Sequence, residues 1–306
     1  DDYLRRNFRH INITGGEPFV RKDLLGVLRG ISQWPWFRNS DIQTNGVVIA
    51  DRPEVLDELK HCGVTGIGVS IDGLPHTHDA FRQCHNGFIK AFNAARWAVE
   101  SGYAVTVSMV VHRGNVAELP TLYEVVKREI RPRYFRVMTL DPIGRAAGGG
   151  LQSLTAQEFR FVMQFLQREY SANCVNYADP RTTMVELGCG GWMGRSLEGR
   201  FRPFVFHCIA GIVNLGILYD GKLAACSNIS RDFIEGDLRK GDRIRDVWEN
   251  RYQRYRECEW KRTGACLSCD EWAYCSGGPM HKMWLDGSRT DCLLQLDRKG
   301  GECVDE

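Results

Sequence analysis

The sequence predicts an α/β fold: a parallel sheet wound with helices, followed by a cysteine-rich C-terminal segment. Three observations predict it. Through the first half, short apolar strands alternate with amphipathic helices at about thirty residues per unit, the pattern of a parallel sheet wound with helices. Glycine and polar residues stand at or just after each strand end: Gly15-Gly16-Glu17, Asn45-Gly46, Ser70 with Asp72-Gly73, His112-Arg113 and Asp141-Pro142. The last third holds Cys208, Cys226, Cys258, Cys266, Cys269, Cys275, Cys292 and Cys303, out of 12 cysteines in the chain.

The elements follow in order. A strand at His10–Thr14 leads into a helix at Lys22–Gln33, where Leu24, Leu25, Leu28 and Ile31 share one face. A strand at Asp41–Thr44 and a helix at Pro53–Cys62 come next. Then come a strand at Gly66–Ile71 and a helix at Gly87–Ser101, whose Phe92, Ala95 and Val99 align. A strand at Ala104–Val111 precedes a helix at Asn115–Ile130, carrying Leu119, Leu122 and Val126 on one face, and a strand at Tyr134–Leu140 closes the series. Several of these strands are largely apolar runs, as burial on both faces requires. The run Gly148-Gly149-Gly150 marks the end of this first half, residues 1–150. Residues 151–203 form a helix, Thr155–Tyr170, and a loop-rich bridge. Residues 204–306 form the cysteine-rich domain. It has a hairpin at Ile217–Ala224 turning on Asp220-Gly221 and a helix at Ile244–Cys258 with Val247, Trp248, Tyr252 and Tyr255. Beyond that lies aperiodic loop, which buries little apolar surface by itself and draws stability from a cofactor.

Composition narrows the function classes. With 306 residues, 43% hydrophobic and 25% charged, the chain has the make-up of a soluble globular protein. A formal charge of +2 gives no electrostatic case for nucleic acid or a membrane surface. The arginines at 131, 133 and 136, and at 251, 254 and 256, lie among acids and read as solvated faces. No apolar stretch is long enough for a bilayer and no signal peptide is visible, so the expected location is cytoplasmic. In that compartment thiols stay reduced, and clustered cysteines hold metal rather than disulfides.

The strand-end residues suit a charged small ligand. Gly15 and Gly16 let backbone approach a ligand closely, and the Glu17 carboxylate can accept from an ammonium; a tight turn with a solvated glutamate is the other reading. Asn45 reads as a ligand contact or a turn residue, and Ser70 as a ligand contact or a helix cap. Cys266-x2-Cys269-x5-Cys275 with Cys292 beyond gathers thiolates at the spacing that suits soft metals or iron–sulfur clusters. A zinc ribbon shows two matched Cys-x2-Cys knuckles, and only one is present.

Gly-Gly-Glu-Pro, then Thr-Asn-Gly, then Ser-Ile-Asp-Gly, each at a strand end, resembles the radical S-adenosylmethionine superfamily. The resemblance implies a partial (β/α) barrel of parallel strands with a SPASM-like cysteine-rich C-terminal domain, that Gly15, Gly16 and Glu17 face the methionine amine, and that Asn45 and Ser70 approach the sulfonium and ribose. It also implies that Arg82 meets the methionine carboxylate and that Leu140 packs on the adenine; a solvated arginine and a core leucine are the alternatives. The superfamily's Cys-x3-Cys-x2-Cys loop follows its first strand. No cysteine precedes Cys62 here, so that strand and loop are expected on a segment ahead of Asp1. Cys208, Gly221 and Cys226, then the Cys266 run and Cys292, resemble the SPASM extension, which implies two auxiliary [4Fe–4S] clusters. Cys266, Cys269, Cys275 and Cys292 make one full set of ligands. The other has Cys208 and Cys226, with Cys189 in Gly188-Cys189-Gly190-Gly191 as the best third. The family's next cysteine falls on Pro279, so the fourth ligand is His281 or the site is open. Cys174, Cys258 and Cys303 lack motif positions.

What the resemblance implies is an enzyme that generates a 5′-deoxyadenosyl radical and abstracts hydrogen from a peptide or small-protein substrate, fed by a reductant such as flavodoxin or ferredoxin. Maturation of a tetrapyrrole or quinone cofactor is the alternative enzyme. A non-catalytic metal-binding or peptide-docking module, and a zinc-only structural domain, are the alternatives outside catalysis.

Overall fold

Six parallel strands lie side by side in sequence order, each joined to the next through helix, so that every carboxyl end opens on the same rim. The computed structural model describes residues 2–141, 146, 150–284, 286–289 and 291–299. The first half runs α1 (Asp2–Asn7), β1 (His10–Ile13), α2 (Leu24–Ser32), β2 (Asn39–Thr44), α3 (Val47–Asp51), α4 (Val55–His61), β3 (Val64–Ser70), α5 (Pro75–Arg82), α6 (Gly87–Glu100), β4 (Ala104–Val111), α7 (Leu119–Glu129) and β5 (Tyr134–Thr139). Then come α8 (Ala156–Asn173) and β6 (Met184–Leu187).

Apolar side chains on the helix-facing side of the sheet form the main core. Val105, Val107, Met109 and Val111 of β4 are buried, as are Leu28 of α2 and Leu122 and Val126 of α7. The α6 face is built of Ala91, Ala94, Ala95 and Ala98, all fully buried. These small residues bring the helix so close that a Cβ on Gly46 (φ +81°) would lie 3.0 Å from Ala91 Cα and Ala94 Cβ. Thr155 and Glu158 form a reciprocal capping box that starts α8.

Each predicted barrel strand is present within a few residues. The bridge 151–203 departs from expectation. It supplies β6, which pairs with β5 (Arg136 opposite Glu186, Val137 opposite Leu187), so the sheet extends past residue 150. Four residues with an acid among them give no strand periodicity. Glu186 is buried because Arg136 Nε on the neighbouring strand donates to its Oε1 at 2.6 Å. The helices α3 and α5 were not expected either, since each is short and polar-flanked.

The remainder runs β7 (Gly216–Ile217), β8 (Lys222–Ala224), β9 (Gly236–Asp237), α9 (Ile244–Asn250), α10 (Gln253–Arg256), α11 (Trp272–Cys275) and α12 (Leu293–Lys299). The expected hairpin is β7–β8, turning at Gly221 (φ +80°), with β9 added antiparallel to β8. The single helix expected over 244–258 is two. The helix breaks at Arg251 and Tyr252; the Tyr252 hydroxyl donates to Ala224 O at 2.7 Å and the Tyr255 hydroxyl of the second piece donates to Phe233 O, so both aromatics turn inward. A second core of Leu223, Phe233, Val247, Tyr252 and Met280 lies under this region. Among the described residues no helix is long and apolar enough to cross a membrane.

Candidate cofactor and cluster sites

The turn after β1 is open. Gly15 takes φ +131°, and a Cβ on Gly15 or Gly16 would meet nothing within 4 Å. Glu17 ties this turn to the next strand end: Thr44 Oγ1 donates to its Oε1 at 2.8 Å, the Asn45 amide to its Oε2 at 2.7 Å and the Phe19 amide to its Oε1 at 3.3 Å. A carboxylate offers about four lone-pair directions, so these donors leave room for one more. The Asn45 side-chain oxygen accepts from the Val47 amide at 2.9 Å and starts α3, while the left-handed turn residue is Gly46. Ser70 ends β3 half-buried, opposite Ser108. It caps no helix, since Leu74 precedes α5. Leu140 is buried, its amide donating to Val111 O at 3.1 Å.

Arg82 is not a free surface charge. Its Nε donates to Asp72 Oδ2 at 2.5 Å, and its side chain is 31% exposed. Asp72, fully buried, also accepts from the Val110 amide at 2.9 Å. Asn115 Nδ2 donates to Asp72 O at 2.7 Å and to Val110 O at 2.9 Å, locking the ends of β3 and β4 together. His78 Nδ1 accepts from the Asp72 amide at 3.0 Å, and burial holds the His78 pKa below its ordinary value. Sequence reasoning missed this network; the short Asp72-to-Arg82 spacing within one βα unit was its only signal.

The cysteines fall into two groups. Cys189, one residue past the Gly188 that follows β6, feels the charges of Cys208 and Cys226. It is exposed by area, yet burial of its thiol, reinforced by those cysteines, pushes its pKa up to about 12. Cys226 is raised by burial as well. Cys266, Cys269, Cys275 and Cys292 form the second group: Cys275 is pushed up to about 11 by burial and then by Cys292, and Cys266 is raised by burial with Cys292 and Cys269 beside it. Thiols in this state keep their protons until a metal displaces them. A pocket lined by Gly191, Trp192, Cys275, Pro279 and Cys292 lies against the second group. Cys174 and Cys258 join neither group and donate to local carbonyls, Ser171 O and Arg256 O. Cys303 lies outside the described residues. Among the described residues no three His, Cys, Asp or Glu side chains close around a single ion; a cube of iron and sulfide holds its thiolates further apart than one ion does.

The two halves meet at Asp141, just past β5. His281 Nε2 lies 3.3 Å from its Oδ2 and Lys282 Nζ 2.8 Å from its Oδ1. Burial pushes the Asp141 pKa up, but His281 and Lys282 together outweigh it and leave it lowered. Lys282 also reaches Asp291 Oδ1 at 2.7 Å, beside Cys292. His281, one expected option for a cluster ligand, thus has its Nε2 committed to the barrel rim. Arg202 is fully buried: its Nε and Nη2 donate to Glu198, Nη2 also donates to Gly191 O at 2.8 Å, and Nη1 has no partner among the described residues. An anionic cluster beside Cys189 is a group that such an orphan donor fits. Trp192, with its Nε1 donating to Glu271 Oε2 at 3.0 Å, packs with Phe206 and Leu294 against Cys208, Cys275 and Cys292.

Family models match both parts of the chain. The model of the radical SAM superfamily matches residues 1–126, and that of the iron–sulfur cluster-binding SPASM domain matches residues 208–270. The mycofactocin maturase MftC of Mycobacterium tuberculosis is 28% identical over 310 residues, covering 99% of this chain and 73% of that protein. The Fe-coproporphyrin III synthase of Methanosarcina barkeri is 34% identical over 123 residues, which is 40% of this chain and 30% of that protein. Among solved structures, anSMEcpe with bound AdoMet and Kp18Cys peptide superposes with a TM-score of 0.65 at 17% identity, over 95% of this chain and 81% of that one.

Proposed function

We propose that this chain, which belongs to the radical SAM superfamily and carries a SPASM iron–sulfur domain, modifies a peptide or protein side chain by hydrogen abstraction. The observation that carries the reading is the joint at Asp141, where the strand-end rim is tied to the segment between Cys275 and Cys292 of the second cysteine group. Similarity to a maturase along nearly the whole chain supports the peptide as substrate.

S-adenosylmethionine, when bound, supplies the hydrogen-abstracting radical, and the [4Fe–4S] clusters supply electron transfer. The residues of this chain do the rest. Gly15 and Gly16 give the methionine end its room, and Glu17 accepts from its ammonium with the lone pair that Thr44, Asn45 and Phe19 leave free. Arg82, its Nε anchored on Asp72, turns its Nη end to the methionine carboxylate. Asn45 and Ser70 line the approach to the sulfonium and ribose, and Leu140 packs on the adenine. Cys189, Cys208 and Cys226 hold one auxiliary cluster; Cys266, Cys269, Cys275 and Cys292 hold the other. A flavodoxin or ferredoxin in the cytoplasm delivers the electrons.

Anaerobic reconstitution followed by iron and sulfide analysis, together with equilibrium dialysis against S-adenosylmethionine, tests the assignment. Bound iron and cofactor are expected; a colourless protein free of iron overturns it. The similarity to Fe-coproporphyrin III synthase supports a second reading, maturation of a tetrapyrrole. Turnover assays of the full-length protein, with a peptide in one arm and a coproporphyrin in the other, separate the two.

A further inference from the structure

Alternate positions of the strands build the apolar core: Val69 on β3, Val107 and Met109 on β4, Phe135 and Val137 on β5, and Val185 on β6. The positions between them belong to the opposite face of the sheet, turned away from that core. There Ser70, Ser108, Arg136 and Glu186 stand opposite one another in register, one per strand. Among the described residues, Arg136 is the only lysine or arginine in strands β1 to β6. Expected on a solvated face with Arg131 and Arg133, it lies instead in this row, its side chain 35% exposed.

Its neighbours fix its place. Its Nε donates to Glu186 Oε1 at 2.6 Å, and a Cβ on Gly188 would meet its Cγ and Cδ at 3.4 Å, so the stem passes over Gly188. Nη1 and Nη2 have no partner among the described residues. Toward the amino ends of the strands, a Cβ on Gly66 or Gly68 would collide with Asp41 or Gln43, so those side chains fill the same face there. The Arg136 row lies beyond them, toward the rim. Holding β6 to β5 does not call for charge, since an apolar pair in its place serves at least as well. An ion pair on this face, with two donors left over, is suited to meet a charged group.

We propose that Arg136 selects the substrate, binding a carboxylate of the peptide through Nη1 and Nη2 while Glu186 holds the guanidinium in position. This rests on the reading of the substrate as a peptide. Two strand spacings, about 10 Å, separate Arg136 from Ser70. A carboxylate gripped by Arg136 therefore sets the adjoining carbons of the peptide toward the strand end assigned to the sulfonium and ribose. The carboxylate comes from an acidic side chain or from a free C-terminus, and the step is binding alone.

The test uses the full-length, iron-loaded protein with S-adenosylmethionine bound. Isothermal titration calorimetry compares three probes: acetyl-Gly-Glu-Gly amide, acetyl-Gly-Gly-Gly with a free carboxylate, and the neutral acetyl-Gly-Gln-Gly amide. Iron content and cofactor binding are measured first. Their absence sinks the proposed function itself, whereas loaded protein that takes all three probes alike, or none, sinks only this inference. Wild type is expected to bind a carboxylate probe at least tenfold more tightly than the neutral one, the worth of one charge-assisted hydrogen bond. Which carboxylate probe it prefers identifies the source. Arg136→Met combined with Glu186→Met removes the pair without stranding a charge, and Arg136→Gln removes the charge alone; melting curves report which of them fold. In either folded variant the preference is expected to shrink to within twofold. A preference that survives the loss of Arg136 overturns the proposal.

Discussion

Lys282→Met removes the ammonium that ties Asp141 at the barrel rim to Asp291 beside Cys292. Its side chain is 3% exposed, and burial pulls its pKa down, but Asp291 and Asp141 together outweigh that and leave it raised. Breaking a buried pair by removing one partner costs about 3–5 kcal/mol. The carboxylates here are 26% and 29% exposed, and Asp141 keeps His281, so water and that imidazole offset part of the loss. About 2 kcal/mol remains after discounting the fully buried figure for this solvent access. At about 1.4 kcal/mol per factor of ten, local opening should become about thirtyfold more frequent. The Lys282 and Met283 amides, which donate to Pro279 O and Met280 O, report that opening. Hydrogen–deuterium exchange should show them about thirtyfold faster, with the β4 amides unchanged. In an Asp291→Asn background the same substitution should cost less, because one carboxylate no longer needs a partner. Exchange within threefold of wild type, or equal cost in both backgrounds, refutes the account of this joint.

Other outcomes follow from the same geometry. Glu17→Ala should weaken S-adenosylmethionine binding at least tenfold, about one charge-assisted hydrogen bond, while leaving iron content intact; unchanged affinity by dialysis removes Glu17 from the site. Cys269→Ala should lose about four iron atoms, one cube's worth, and full iron retention refutes its role as ligand. Gly46→Ala should cost about 2–3 kcal/mol, since it combines a left-handed backbone with contact at 3.0 Å against the α6 alanines; a urea midpoint equal to wild type contradicts that. His78 stays neutral when folded, whereas the unfolded imidazole takes up a proton near pH 6.5, so stability should fall as pH drops below about 6.5, by up to about 1.4 kcal/mol per pH unit. His78→Asn, which keeps an acceptor for the Asp72 amide, should flatten that dependence in urea midpoints at pH 7.5 and 5.5.

The rim was readable because strand ends announce themselves. A parallel strand buried on both faces is an apolar run, so glycines and polar residues at its end stand out against it. Gly15, Glu17, Asn45 and Ser70 stand out in that way as candidates. The cysteine groups were readable from spacing, because chelating loops keep their donors close in sequence. The joints between distant segments left no such trace. Asp141 and Lys282 are far apart in the chain, and nothing in Pro279-Met280-His281-Lys282 says that its lysine is buried between two acids. Arg202 reads as a surface residue until the fold closes Phe201, Phe204 and Phe206 around its guanidinium. The strand β6 was hidden for a related reason: the partner that lets Glu186 be buried, Arg136, sits on another strand.

Strand order turns this into a statement about where chemistry is placed. The sheet runs β1 to β6 in sequence, and neighbouring strands lie about 4.8 Å apart. The glycine turn, Asn45 and Ser70 occupy the ends of β1, β2 and β3. Asp141 follows β5, and Cys189 comes just after β6. Three strand spacings separate Ser70 from the end of β6, about 14 Å along the rim before curvature shortens it. That gap is floored by β4 and β5, whose ends carry His112 and Leu140, both buried. A group held between the two ends therefore lies near the Glu17, Asn45 and Ser70 strand ends on one side and Cys189 on the other. The β1–β4 side of the rim is fixed by hydrogen bonds between neighbouring strand ends: Glu17 to Thr44 and Asn45, Asn115 to Asp72 and Val110. The arrangement follows from parallel topology, which sends every strand end to one rim and lets sequence order decide which functional residues face each other across it.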